Sequence, residues 1–278
     1  MKKIILLLLF SLALVANEFS FIAYNGQEWK IVVCNDKECH NIKTKQEPRT
    51  YDYDFNSGRV VYVASDKSVR TVIKDREQII LESQKDAYTE PLFIDNGQKI
   101  MIVKLINGNS KNTEIISMDL LGKNQKSLHY QHSTALEPYS HDGEYIYYAN
   151  VSCVEGCGGI IQEIWEKEIV SNRAKQLTML NALSHQPNID KKRENIYFSS
   201  NKEGNYHIYR LSLLNGEVKQ LTKGDVTDGF PISSKDGLYF IRRQVGEVVL
   251  MRLNHKSQLE QLSFDKLYKK IRNLKVKQ

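Results

Sequence analysis

Glu194–Thr222, ENIYFSSNKEGNYHIYRLSLLNGEVKQLT, decides the fold. Ile196, Tyr197 and Phe198 form a short aromatic and β-branched run, the composition that suits a pleated surface. Ser199 to Asn205 make a turn carrying Gly204. Tyr206 to Leu214 then alternate, placing His207, Tyr209, Leu211 and Leu213 on one face. Asn215-Gly216 reads as a type I′ hairpin turn, in which both central residues have positive φ. Val218 to Leu221 return as the last strand, and Gln186 to Ile189 supply another ahead, turning at Asp190 to Glu194. A four-stranded antiparallel meander cannot bury both faces alone, so the pattern predicts copies.

Copies lie on both sides. Downstream, KDGLYFIRR (Lys235 to Arg243) leads to VVLMRLNHKSQLEQLS (Val248 to Ser263). Upstream, HDGEYIYYAN (His141 to Asn150), DNGQKIMIV (Asp95 to Val103) and NSGRVVYVAS (Asn56 to Ser65) each open a similar unit. The first unit, FIAY then WKIVVCNDKECHNI (Phe21 to Ile42), lacks an inner strand of its own. The apolar residues closing the last strands are Ile42, Ile80, Leu128, Leu177, Leu221 and Leu262, spaced by 38, 48, 49, 44 and 41 residues. That period belongs to propeller blades. The expected fold is all-β: a six-bladed β-propeller of four-stranded antiparallel blades.

In these repeats a proline is followed four or five residues later by Asp-Gly or Asn-Gly, then an aromatic strand, Ile-Tyr and a closing Gln-Leu-Thr. Pro138 with Asp142-Gly143, Pro231 with Asp236-Gly237, and Pro91 with Asn96-Gly97 carry the first half. Gln176-Leu177-Thr178 and Gln220-Leu221-Thr222 carry the second. This pattern resembles the repeat of TolB-type six-bladed propellers. The likeness runs from about Phe19 to Ser263 and includes the propeller without the α/β domain that precedes it in TolB. Blade five departs by having Asp190 to Arg193 in place of the Asp-Gly turn. The resemblance implies a periplasmic, non-enzymatic binding or scaffold role, with an envelope protein of the peptidoglycan-associated lipoprotein class as partner.

Lys2-Lys3 and the apolar run Ile4 to Val15 read as a secretory signal, residues 1–16, cleaved after Ala13 or Ala16. The run is too short for a spanning helix, which takes roughly 20 residues. The mature chain is then expected to be a periplasmic monomer with no membrane span, residues 17–265 forming the propeller. The net charge of +6 falls by two with Lys2 and Lys3, to +4. A mixed surface with no basic tract interleaved with aromatics argues against nucleic acid. Cys34 and Cys39 fall on facing strands and Cys153 and Cys157 bracket a short loop, so an exported chain is expected to pair them as two disulfides. Zinc is the rival reading, without a matched His pair nearby. Residues 266–278 are a basic tail. Leu267, Ile271 and Leu274 have a helical period, while the incomplete first blade asks for a strand here, and both readings stay open.

The sequence carries no nucleophile elbow, phosphate-binding loop or H-E-x-x-H motif, so neither an enzyme nor a cofactor is expected. His129 and His132 form H-x-x-H, a weak signal that surface histidines on a crossover also explain. In a meander, the first-to-second and third-to-fourth turns share one face. The second-to-third loops and the crossovers share the other. That second face gathers Glu90, His132, Glu137, His185, Asp225, Asp228 and the Cys153–Cys157 loop as candidates for a binding site at the channel mouth. Solvated loop residues are the plain alternative. The second functional reading is a small-ligand or metal-binding propeller, an enzyme such as a sugar-acid lyase, with its site at the same mouth.

Overall fold

The computed structural model describes residues 18–35, 38–131, 137–153, 156–171, 173–263 and 268–277. The signal segment and His132 lie outside them. Among the described residues, 24 strands form six four-stranded antiparallel sheets, arranged as the blades of a propeller. Blades two to six run in chain order from the inner strand outward: residues 48–81, 87–131, 137–176, 184–220 and 227–262. Blade one holds Phe19–Tyr24, Trp29–Cys34 and Cys39–Asn41, and its innermost strand is Lys270–Val276 from the other end of the chain.

Successive strand residues point to opposite faces, and here a neighbouring blade covers each face. Ile208 packs with Leu238 and Phe240 of blade six, whereas its neighbour Tyr209 packs with Tyr147 and Ile164 of blade four. Each of the six buried clusters sits at one blade junction. This is why second strands such as Val60 to Ala64 are continuously apolar rather than alternating.

Within the tail, Lys270–Val276 is a strand, and the structure explains its helical look. Each inner strand carries a one-residue β-bulge against its neighbour. In the last strand the extra residue falls between Arg272 and Lys275, with Asn273 at φ +53°. The bulge stretches the spacing of buried residues from two to three, so Ile271 and Leu274 face one core while mimicking a helical period. The propeller therefore includes this strand of the tail.

Polar contacts between inner strands link every junction. Lys275 Nζ meets Asp52 Oδ1 at 3.1 Å, and the other oxygen of Asp52 accepts the Phe93 amide at 2.7 Å. A His141 ring nitrogen lies 2.8 Å from the Phe93 carbonyl. Ser140 Oγ accepts the Ile189 amide, Asn188 Oδ1 the Ser233 amide, and Ser234 Oγ donates to the Lys277 carbonyl.

The repeat motifs have physical jobs. Thr178 and Thr222 each accept, at 2.9 Å, the amide of a buried residue in the third strand, Ile164 and Ile208. Gln176 and Gln220 then donate to the carbonyls of those same threonines. In the Asp-Gly turns, Asp142 accepts the amides of Glu144 and Tyr145 and the Tyr147 hydroxyl, and Asp236 accepts the Tyr239 hydroxyl. Burial alone would raise the Asp142 carboxyl; these donors and Arg193 outweigh it and hold it below its ordinary value.

One turn differs from expectation. The Asn215-Gly216 hairpin forms, but only Gly216 has positive φ. The Ser212 amide reaches the Glu217 carbonyl across a longer loop, so this is not type I′. Both disulfides are present. Cys34 and Cys39 are direct cross-strand partners with Cα atoms 4.1 Å apart, and Cys153 bonds Cys157 across 6.5 Å.

Two stability predictions follow from this architecture. A Cβ on Gly237, at φ +145°, would sit 2.5 Å from the Leu253 carbonyl oxygen, whereas one on Gly143 meets nothing within 4 Å. Gly237→Ala is expected to cost about 1–3 kcal/mol more than Gly143→Ala in denaturant unfolding; equal costs would show that the clash is relieved. Thr222→Val orphans the buried Ile208 amide and is expected to cost about 1–3 kcal/mol, with most of the loss absent in Thr222→Ser. Equal melting of the two variants would remove the assigned role of the hydroxyl.

Candidate functional site

The bulges place the site. Glu90, Gln186, Phe230 and Asn273, from four different inner strands, all adopt left-handed backbone, with φ of +50°, +58°, +56° and +53°. A proline follows three of them, Pro91, Pro187 and Pro231; it has no amide to donate, and the bulge leaves that position unpaired. Ten other non-glycine residues among those described adopt left-handed backbone elsewhere. Non-glycine residues held in this region each cost about 1–3 kcal/mol. Surrounding contacts hold them here. Gln186 Oε1 accepts the Phe230 amide at 2.6 Å, and the Glu90 amide donates to Thr50 Oγ1 at 3.2 Å.

All four residues line one small void in the channel, of about 10 Å³. That is close to the least space a single water needs, so the collar is nearly filled. Arg272 lies against the collar, its guanidinium 4.1 Å above the Trp29 ring and donating to the Pro48 carbonyl. Burial lowers the Arg272 pKa, the charge of Glu90 opposes that shift, and Arg49 adds to it.

Gln186 and Phe230 also border a wider recess of about 310 Å³ between blades five and six. His185, Tyr206, Thr227 and Arg243 complete its polar lining. The Tyr206 hydroxyl lies 3.3 Å from His185 Nε2, with the rings 5.6 Å apart. Asp228 forms part of the wall and is fully buried. Its two oxygens accept from Arg242 at 2.8 and 2.9 Å, and its carbonyl accepts the Ser199 hydroxyl.

The recess opens on the crossover face. On this face second-to-third loops are tied to crossovers: the Asn201 side chain accepts the Leu183 amide, and Gln162 donates to the Ala182 carbonyl. The buried carboxylate of Glu163, on the strand leaving the Cys153–Cys157 loop, accepts the amides of Leu180 and Asn181. The strand that follows the disulfide is thus stitched to the crossover that leads into His185.

Of the residues singled out in the sequence, Glu90, His185 and Asp228 border these two adjoining voids. Asp225 lies on the exposed rim, accepting from Asn205. Glu137 pairs with Ala149 in the inner strand of blade four, and only its backbone is described. Among the described residues, no three His, Cys, Asp or Glu side chains gather in a metal-binding group. Sequence reading missed Gln186, Phe230, Asn273, Tyr206 and Arg243. For Gln186 and Phe230 a signal existed: each precedes a proline in an inner strand.

No family model and no curated protein matches the sequence. Solved structures match its fold. TolB from Acinetobacter baumannii superposes with a TM-score of 0.76 at 14% identity, covering 94% of this chain and 66% of that one. The chain thus spans just under two thirds of that TolB. A putative TolB from Agrobacterium tumefaciens gives 0.69 at 14% identity, covering 89% of each chain. An oligogalacturonate lyase in complex with manganese gives 0.60 at 9% identity, covering 85% of this chain and 71% of that one. The chain is a TolB-like six-bladed β-propeller.

Proposed function

We propose that the chain is an exported, periplasmic binding protein that acts without catalysis and docks an envelope protein on its crossover face. One observation carries this reading: four strained residues from four blades converge on a collar beside a polar recess that opens on that face. Strain concentrated at one opening supports a surface pre-shaped for a partner. The Cys153–Cys157 loop adds a pre-organised rim, because the disulfide removes part of the ordering cost of binding. Two disulfides suit an oxidising compartment. Among the described residues no helix is long and apolar enough to cross a membrane. By the resemblance to TolB, the partner class is a peptidoglycan-associated lipoprotein.

A second reading, a small-ligand or metal site in the recess, draws on the His185–Tyr206 pair and on the likeness to the manganese-bound lyase. Metal analysis and manganese titration of the purified protein separate the two. Stoichiometric metal lost in His185→Ala would favour the second.

The binding reading is tested against the soluble domain of a peptidoglycan-associated lipoprotein. Arg243→Glu, at the exposed edge of the recess, is expected to weaken binding about tenfold, or 1.4 kcal/mol. The Cys153→Ser/Cys157→Ser variant is expected to lose a similar amount, beyond what its melting shift explains. Full affinity in both, with binding lost instead in Asn215→Ala on the opposite face, would overturn the assignment.

A further inference from the structure

On the opposite face, the turns of adjacent blades are stitched together at two junctions. Arg59 of blade two donates to the Gly97 carbonyl of blade three. Arg193 of blade five meets Asp142 and Glu144 of blade four at 2.9 and 3.1 Å. The junction between blades five and six breaks this pattern and opens into a groove of about 840 Å³.

Basic residues outnumber acids along the gap, where the acids are Asp190 and Glu194. Blade five presents Lys191 and Lys192, and blade six answers with Lys235. Asp236, the equivalent of the acid that pairs with Arg193, faces its own blade, bonded to Tyr239 and Arg252. Asp190 is spent within its turn, accepting from the Glu194 amide and the Asn195 side chain. Among the described residues, none of the three lysines forms an ion pair. Arg210 lines the wall, its guanidinium 3.6 Å from Glu217 and its Nε buried without a hydrogen-bond partner. The floor is apolar, built from Tyr197, Leu221, Leu238 and Leu253.

We infer that this groove between blades five and six is a second binding site, taking an acidic peptide segment that carries apolar side chains. Three exposed lysines that form no ion pair among the described residues supply the counter-charge for carboxylates, with Arg210 beside them on the wall. The apolar floor between them takes the intervening side chains, in a spacing that a bare phosphate cannot exploit. The site faces away from the crossover surface, so it leaves the first site free and would let the propeller hold two partners at once.

The experiment uses the purified protein and a fluorescein-labelled peptide of alternating glutamate and leucine, read by anisotropy. The peptide is expected to bind about tenfold tighter than its lysine-leucine counterpart and than an all-glutamate peptide. Lys191→Glu/Lys192→Glu/Lys235→Glu, all at exposed positions, is expected to weaken binding about tenfold with melting unchanged. Arg210→Gln is expected to weaken it further. The Cys153→Ser/Cys157→Ser variant is expected to bind the peptide as the parent does, which separates this site from the crossover face. Charge reversal that changes affinity less than about twofold would overturn the proposal. So would tripolyphosphate or all-glutamate peptide competing as well as the mixed one.

Discussion

The structure depends on a seven-residue strand at the end of the chain lying beside the first strand. Every blade is covered on both faces only by its neighbours, so no blade has a core of its own and a gap anywhere uncovers two surfaces. Lys270–Val276 fills the last gap: Ile271, Leu274 and Val276 enter the core shared by blades six and one. Lys275 joins the strand to blade two through Asp52, and the Lys277 carbonyl joins it to blade six. Each polar contact of this kind contributes about 1 kcal/mol net, and what they add is register. They fix which inner residue of one blade faces which of the next.

The same inner strands supply both the ring and the candidate site, and the bulges make this possible. A regular strand would turn alternate side chains towards the two flanking blades along its whole length. The inserted residue re-aims the chain, so Glu90, Gln186, Phe230 and Asn273 look into the channel. Proline follows where the ladder is already broken and costs no hydrogen bond there. The structural repeat and the functional surface therefore share one sequence signature.

Much of the fold was legible because blade construction repeats itself. The Gln-Leu-Thr closure and the Asp-Gly turn recur with side chains whose bonds are local, so each copy reports the same geometry. The Asn215-Gly216 turn was misread because the dipeptide fits two loop lengths, and only the pairing of Ser212 with Glu217 decides between them. The tail was ambiguous because a bulge imitates a helical period. In the site, Glu90, His185 and Asp228 were reachable from topology, since crossovers must meet the channel mouth. That Asp228 sits in a buried pair with Arg242 was not, because the partners are held together by strand pairing rather than by any motif. The open junction between blades five and six was equally silent. Lysines in turns look alike until the structure shows which of them form an ion pair.

Closing the ring with the final strand sets the order in which the molecule can be finished. Phe19 pairs with Val276, so the contact that completes blade one spans a very large sequence separation. Contacts of this kind slow folding, because chain entropy is lost before they form. Until Lys270–Val276 is in place, Phe19–Tyr24 has an unpaired edge and a bare apolar face, the exposed template that draws other strands. A chain cut short by a few residues keeps nearly all its blades yet displays that edge permanently. The state of one strand edge thus distinguishes a closed ring from an open one.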